Sequence, residues 1–222
     1  MGNMPRWKLV TIGGHTIYLE PLFLLLVAFF AFSGVSSLQG LMSGLLWAPV
    51  LFIGVTFHEL GHAIVTDKLG YGKSVVVLQG LGGVAINRRG YTPPKHGAAI
   101  AFAGPLFSFI LAALSGALLL FLPVDGLVQQ FLTMMTFANL VWAVFNMLPI
   151  APMDGGHIVL HGLRAKLPER KALLYSAYSS LVVLALLAIP LTMVLSGFFV
   201  ILLGLLFAMH NVQVIQALRA SS

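Results

Sequence analysis

The sequence predicts an all-α membrane protein with six transmembrane helices and a small membrane-associated β-hairpin between the second and third helices. Of its 222 residues, 59% are hydrophobic and only 8% are charged, whereas an ordinary soluble domain carries about 25% charged residues. Apolar runs of the roughly 20 residues that cross a bilayer recur along the chain. After the second run, two short strand-like segments flank a glycine-rich turn, which is typical of a hairpin.

The apolar runs define one polytopic domain over residues 1–222. Before the first run, residues 6–18 form a short amphipathic or strand-like segment with a turn at Gly13-Gly14. The last apolar stretch is too long for one span, and we place a turn at Pro190 and Ser196-Gly197 because these residues interrupt a helix. The approximate spans are 19–38, 41–65, 98–121, 127–148, 172–190 and 195–214.

The predicted hairpin joins residues 74–78 to residues 83–87 through Gln79-Gly80-Leu81-Gly82. It is apolar but short, so we expect it to dip into the membrane against the helices. Non-helical backbone is tolerated at that depth only where protein covers it or where it lines a wet cavity.

The positive charges indicate the orientation of the chain. They fall at residues 6–8, 68–95, 164–171 and Arg219. Six crossings place all of them on one side, whereas the opposite loops near Gln39, Asp125 and Ser196 contain no Lys or Arg. The positive-inside rule therefore predicts that both termini are cytoplasmic. The net charge of +6 does not indicate nucleic-acid binding, because no run of Lys and Arg is longer than a pair.

The stretch His58-Glu59-Leu60-Gly61-His62 lies in the last third of the second apolar run. Residues four apart stack on one helix face, so the two histidines could share one metal ion. Glu59 lies beside them, where it could take a proton from a water molecule that the metal activates. Ionisable groups inside a span are costly and are functional candidates. The structural alternative is two buried histidines and a glutamate that satisfy one another.

A catalytic zinc site needs three protein ligands and one open position. Because the chain contains no cysteine, the third ligand must come from another residue type, and the candidates are His96, Asp154, His157 and His161. Asp154 has the best case, since it lies in the stretch 149–156, where two prolines and two adjacent glycines break a helix. His157 and His161 are four apart and could form a second pair, but we expect them at the interface or in support of the ligands.

The chain resembles the site-2 protease family of intramembrane zinc metalloproteases, in the compact six-span form of bacterial and archaeal members. The resemblance rests on the 58–62 stretch, on Asn146-Met147-Leu148-Pro149 leading into Met153-Asp154-Gly155-Gly156, on Gly104 and Ser108, and on Gly82-Gly83-Val84-Ala85. It implies that His58, His62 and Asp154 hold one Zn²⁺ per chain. It also implies that Glu59 is the general base and that Asn146 lies near the scissile carbonyl.

The resemblance implies cleavage of transmembrane segments of membrane-anchored proteins, as in regulated intramembrane proteolysis. The expected partners are the lipid bilayer and single-span membrane proteins that another protease has already cut, with no nucleic acid. The expected location is a prokaryotic cell membrane. Gly82, Gly83, Val84 and Ala85 would bind an unwound substrate as an added strand. In the alternative interpretation, the hairpin only plugs the helix bundle.

Two other classes of protein could use the same residues. A membrane metal or ion transporter would need a continuous polar path, whereas the polar groups here lie in the cytoplasmic half, and no internal repeat is evident. An inactive scaffold of the same fold is disfavoured because all three ligands and the base are present. Glu59 discriminates between the classes: a transporter could use it as a ligand, but a protease needs it for turnover and not for zinc retention.

Overall fold

The computed structural model describes residues 5–33, 37–80, 82–87, 90–194 and 197–220. The predicted turn residues Leu81 and Ser196 and the basic pair Arg88-Arg89 lie outside these ranges. Contacts divide the chain into two compact units, Met1–Gly90 with Ala103–Ala143 and Tyr91–Phe102 with Val144–Ser222. We describe each unit separately.

Within the described residues the chain forms four strands and eight α-helices. The strands are β1 (Trp7–Ile12), β2 (His15–Leu19), β3 (Val75–Gln79) and β4 (Gly82–Ile86). The helices are α1 (Pro21–Phe32), α2 (Leu38–Leu45), α3 (Trp47–Thr66), α4 (Pro94–Phe121), α5 (Gly126–Asn146), α6 (Asp154–Arg164), α7 (Glu169–Val194) and α8 (Gly197–Ala220). A wider π-helical turn, Asp67–Tyr71, extends α3.

Five helical segments among the described residues are long and apolar enough to cross a membrane. They are Leu38–Tyr71, Pro94–Phe121, Gly126–Asn146, Glu169–Ala188 and Ile201–Ala220. The chain therefore has the composition and helices of an integral membrane protein. The first expected span, residues 19–38, is not a single helix in the described chain. Its helix α1 has only 12 residues, whereas about 20 are needed to cross a bilayer unaided. The count of six spans is thus not confirmed.

The boundaries of α1 follow from its flanking residues. Pro21 opens the helix, where its missing N–H costs nothing, and the preceding Glu20 is buried and accepts a hydrogen bond from Arg6 Nε at 2.8 Å. At the other end Ser33 adopts an extended backbone conformation, and its N–H and hydroxyl both donate to the Phe29 carbonyl. The residues at its two ends therefore limit α1 to part of the first apolar run.

The strands form one sheet in the order β1-β2-β3-β4. The predicted hairpin is confirmed as the antiparallel pair β3 and β4, and the N-terminal segment forms a second antiparallel hairpin, β1 and β2, around Gly13-Gly14. The two hairpins join because β2 pairs with β3 in parallel. The sheet is therefore larger than predicted, since a pairing between distant strands leaves no local turn signal in the sequence.

The sheet packs on α1 and α3 through a shared apolar core. Ile17 and Leu19 of β2 and Val76 and Leu78 of β3 contribute to this core. They contact a set of buried apolar residues on the two helices, namely Phe23, Val27, Leu51, Val55 and Ala63. This packing fixes β4, the last strand of the described sheet, beside α3.

In the second unit, α6 packs on α7 and α7 packs on α8. An ion pair between Arg164 and Glu169 links the end of α6 to the start of α7. The loop between α5 and α6 contains the buried residue Ile150 and leads into Asp154, the first residue of α6. The second unit therefore positions the predicted third ligand.

Candidate metal centre

The two histidines of α3 direct ring nitrogens towards each other. His58 Nε2 and His62 Nε2 are 3.2 Å apart, and the i, i+4 spacing places both rings on one helix face. Zinc binds imidazole nitrogens at 2.0–2.1 Å, so two nitrogens in a tetrahedral site lie about 3.3 Å apart. The spacing of the two nitrogens therefore suits a single ion.

Ser108 of α4 fixes the orientation of His58. Its Oγ lies 3.0 Å from His58 Nδ1, and both side chains are buried. In the neutral ring, an Nδ1–H that donates to the hydroxyl leaves Nε2 with a free lone pair, which is the form that binds a metal. In the sequence, Ser108 stands out only as part of a motif, although its spacing from Gly104 places both residues on the same face of α4.

Glycines make room for the histidine rings where α3 and α4 approach each other. A Cβ at Gly104 would lie 2.7 Å from His58 Nε2 and closer still to His62 Nε2. On the other helix, a Cβ at Gly61 would lie 2.6 Å from the Ala103 carbonyl oxygen. The space at the two ring nitrogens is therefore open only because residue 104 has no side chain.

The edge strand β4 lies directly against Glu59. This glutamate is buried on α3, and a Cβ at Gly83 would lie 2.6 Å from its Cγ and 3.0 Å from Val55 Cγ1. A Cβ at Gly82 would lie 3.2 Å from Trp142. Gly83, one of the hairpin residues predicted to bind substrate, therefore also allows the strand to approach α3, and Gly82 allows it to approach α5.

Asp154 completes a group of possible metal ligands. One ligand atom each from His58, His62 and Asp154 lies within 4.8 Å of the other two. In the part of the chain that the structure describes, this is the only group of three or more such residues, so His96, His157 and His161 belong to none. Two imidazoles and a carboxylate are a ligand set of catalytic zinc sites, so the residues present fit one zinc ion.

The first turn of α6 packs against the loop that precedes it. A Cβ at Gly155 would collide with the Met147 carbonyl, and one at Gly156 would collide with the Ala151 N–H. The two glycines thus hold Asp154 close to the loop backbone. Asn146, the predicted oxyanion donor, is the last residue of α5 and is half-buried.

Comparison with known proteins gives one family. The sequence profile of peptidase family M50 matches residues 47–131 and 122–189. These ranges contain the two histidines and Glu59 as well as Asn146 and Asp154.

Individual relatives agree with this match. The chain is 35% identical over 138 residues to a zinc metalloprotease of Methanocaldococcus jannaschii, covering 60% of this chain and 39% of the relative. It is 33% identical over 135 residues to stage IV sporulation protein FB of Bacillus subtilis, covering 60% and 46%. The chain thus spans less than half the length of each of these two relatives. Among solved structures, it is similar to a site-2 protease from Methanocaldococcus jannaschii, with 26% identity, a TM-score of 0.65 and 95% coverage of both chains.

Proposed function

The chain belongs to peptidase family M50, and on that premise we propose that it is an intramembrane zinc metalloprotease that cleaves transmembrane segments of membrane-anchored proteins. The observation that carries the proposal is the ligand group of His58, His62 and Asp154 next to Glu59, on an apolar helix. Ionisable groups are costly inside a membrane span, so their presence there indicates a functional site.

His58, His62 and Asp154 would hold one Zn²⁺. A zinc ion held there would supply Lewis acidity, which lowers the pKa of a bound water and polarises a peptide carbonyl. The remaining chemistry belongs to side chains of this protein. Glu59 would take the proton from the attacking water and return it to the leaving amine. Asn146 would donate its side-chain amide to the developing oxyanion.

The substrate must present an unwound peptide bond. A transmembrane helix binds its carbonyls in its own hydrogen bonds, and each backbone group freed in a membrane needs a new partner. We infer that the outer edge of β4 in the described sheet, residues Gly82 to Ala85, supplies those partners by adding the substrate as a strand. The close approach of Gly83 to Glu59 supports this inference, because a strand bound along β4 would lie near the general base.

The finer features of the proposal rest on the sequence. We propose six spans with both termini in the cytoplasm of a prokaryotic cell, because this arrangement collects the positive charges on one side. The substrates would be single-span membrane proteins that another protease has already shortened. Nothing in the chain favours a transporter or an inactive scaffold.

Replacement of Glu59 tests the proposed mechanism. Glu59→Gln should retain one zinc per chain and lose proteolysis by about 10²–10⁴-fold, because the proton acceptor is removed while the ligands remain. Asp154→Ala should lose both zinc and proteolysis. Metal analysis of the purified protein and cleavage of a fluorescent single-span fusion in liposomes measure the two properties.

Glu169→Gln is the matched control, since this glutamate is exposed and pairs with Arg164. Full proteolysis by Glu59→Gln would refute the mechanism. Normal zinc binding by Asp154→Ala together with zinc loss in His157→Ala would show that the third ligand is wrongly assigned.

A further inference from the structure

Two buried side chains from different helices bind the two backbone groups of Ala151. The Ala151 N–H donates to Ser180 Oγ of α7 at 2.9 Å, and the Ala151 carbonyl accepts from Asn211 Nδ2 of α8 at 2.8 Å. Ser180 is 0% exposed and Asn211 is 1% exposed. Neither residue belongs to the ligand group. We call this pair of hydrogen bonds the Ala151 anchor.

The anchoring side chains are themselves fixed to their own helices. The Ser180 hydroxyl donates to the Ser176 carbonyl at 2.8 Å, and Asn211 Nδ2 also donates to the Phe207 carbonyl at 2.8 Å. Each side chain therefore has one defined orientation when it meets the loop. The position of Ala151 is consequently tied to the backbones of both α7 and α8.

The backbone between Ala151 and Asp154 is held in a tight conformation. The Met153 N–H donates to the Ile150 carbonyl at 2.7 Å, which closes a tight turn around Ala151. Gly156, in the first turn of α6, lies so close to the Ala151 N–H that a Cβ there would collide with it. A displacement of Ala151 would therefore be transmitted to the first turn of α6, where Asp154 is located.

We propose that Ser180 and Asn211 are positioning residues for the Asp154 carboxylate, and that the Ala151 anchor sets the geometry of this metal ligand. The proposal rests on the assignment of Asp154 as the third ligand. Partners that orient a ligand commonly change metal affinity by about 10–100-fold when they are removed. Here the orientation acts through the backbone of the loop.

A purely structural role makes a different prediction. Loop backbone at membrane depth needs hydrogen-bond partners in any case, so loss of the anchor could lower only the stability of the protein. In that case every variant molecule that remains folded would bind metal normally. A positioning role instead changes the metal affinity and the ligand geometry of the folded protein.

The experiment measures metal binding in Ser180→Ala, in Asn211→Leu and in the double variant. Purified apoprotein is titrated with Co²⁺, whose visible absorption reports ligand geometry, and Zn²⁺ affinity is measured by competition with a chelator. We expect each single variant to bind Zn²⁺ about tenfold more weakly and to have an altered Co²⁺ spectrum. Thermal unfolding of the same samples separates stability from affinity.

Ser179→Ala is the matched control, because the Ser179 hydroxyl also donates to the Ser176 carbonyl but is not bonded to the loop. It should leave Zn²⁺ affinity and the Co²⁺ spectrum unchanged. Ser180→Thr retains the hydroxyl and should bind Zn²⁺ with the affinity of the wild type. It also provides a folded reference if Asn211→Leu fails to fold.

Wild-type Zn²⁺ affinity and a wild-type Co²⁺ spectrum in folded Ser180→Ala would overturn the proposal. An equal loss of affinity in Ser179→Ala would also overturn it, because the effect would then not depend on Ala151. Asp154→Ala separates this proposal from the one it rests on. If Asp154→Ala binds Zn²⁺ with full affinity, the assignment of Asp154 as the third ligand is wrong, and the proposal for the Ala151 anchor is wrong with it.

Discussion

At the scale of single residues, the candidate metal centre depends on the residues around the proposed ligands as much as on the ligands themselves. The ring nitrogens of His58 and His62 face each other only because Gly104 has no side chain. The Ser108 hydroxyl then shares a hydrogen bond with His58 Nδ1, which fixes the orientation of the ring. The same two histidines on α3 could not place their rings in this way against an α4 that carried a larger residue at position 104.

Replacement of Ser108 tests its role in orienting His58. Ser108→Ala should weaken Zn²⁺ binding by about 10–100-fold, because the His58 ring loses the hydrogen-bond partner that fixes its orientation. Ser115→Ala is the control, since Ser115 is a buried serine on the same helix whose hydroxyl bonds only to carbonyls of its own helix and to Thr136. Chelator competition measures both. Equal Zn²⁺ affinity in the two variants would contradict the assignment.

The sequence predicted the ligand pair and left the role of Ser108 open, for a physical reason. The spacing of His58 and His62 is local, because helix geometry alone brings residues four apart together. The contact between His58 and Ser108 depends on the rotation of α4 against α3, which glycines at the crossing permit but do not specify. The Ala151 anchor could not be predicted for the same reason, because Ser180 and Asn211 are far from the loop in sequence.

At the scale of elements, the important relation is that of an edge strand to a helix. β4 contacts α3 where Gly83 meets Glu59, so the same glycine allows both the packing and the proposed strand addition. The hairpin could be predicted from its glycine-rich turn. Its position against Glu59 could not, because the parallel pairing of β2 with β3 holds the sheet on α3 and has no local signal.

A methyl group at position 83 tests this contact. Gly83→Ala should reduce proteolysis by about 100-fold with unchanged zinc content, because the added Cβ would lie 2.6 Å from Glu59 Cγ and small displacements of catalytic groups are costly. Gly90→Ala is the control, since a Cβ there meets no atom within 4 Å. A cleavage assay and metal analysis measure the two properties. Normal proteolysis by Gly83→Ala would mean that β4 can move away from Glu59 without loss of activity.

The strand-addition proposal also predicts how the substrate sequence affects cleavage. A substrate span with helix-breaking residues near the cut should be cleaved faster than one with a run of leucines, because less helix must be unwound before β4 can pair with it. The two spans are compared as otherwise identical fusions in liposomes. Equal cleavage rates would remove the support for strand addition.

At the scale of the whole molecule, the absence of cysteine makes the membrane topology directly testable. Single cysteines at Gln39 and Asp125 should react with a membrane-impermeant maleimide in intact cells. Cysteines at Lys8 and Lys171 should react only after permeabilisation, because the positive-inside rule places them in the cytoplasm. Retained zinc identifies the folded variants.

The pattern of labelling separates three topologies. If residues 8 and 39 react under the same condition, the first apolar run does not cross the membrane and the chain has five spans. If residue 125 reacts only after permeabilisation, the orientation is reversed and the charge argument fails. The expected pattern would place residues 8 and 171 in the cytoplasm and residues 39 and 125 outside, as the six-span topology requires.

The parallel pairing of β2 with β3 also bears on the short helix α1. The Glu20 N–H donates to the Leu78 carbonyl at 2.9 Å, so the chain enters α1 directly from the end of the paired strands β2 and β3. In the proposed six-span topology, the crossing by Leu38–Tyr71 returns the chain to this sheet, so α1 would have to cross in the opposite direction. Its 12 residues cover about 18 Å, which would be enough for a crossing only if α1 began inside the bilayer and not at its surface. The proposed topology therefore requires a sheet that lies partly within the membrane, and this position would account for the short length of α1.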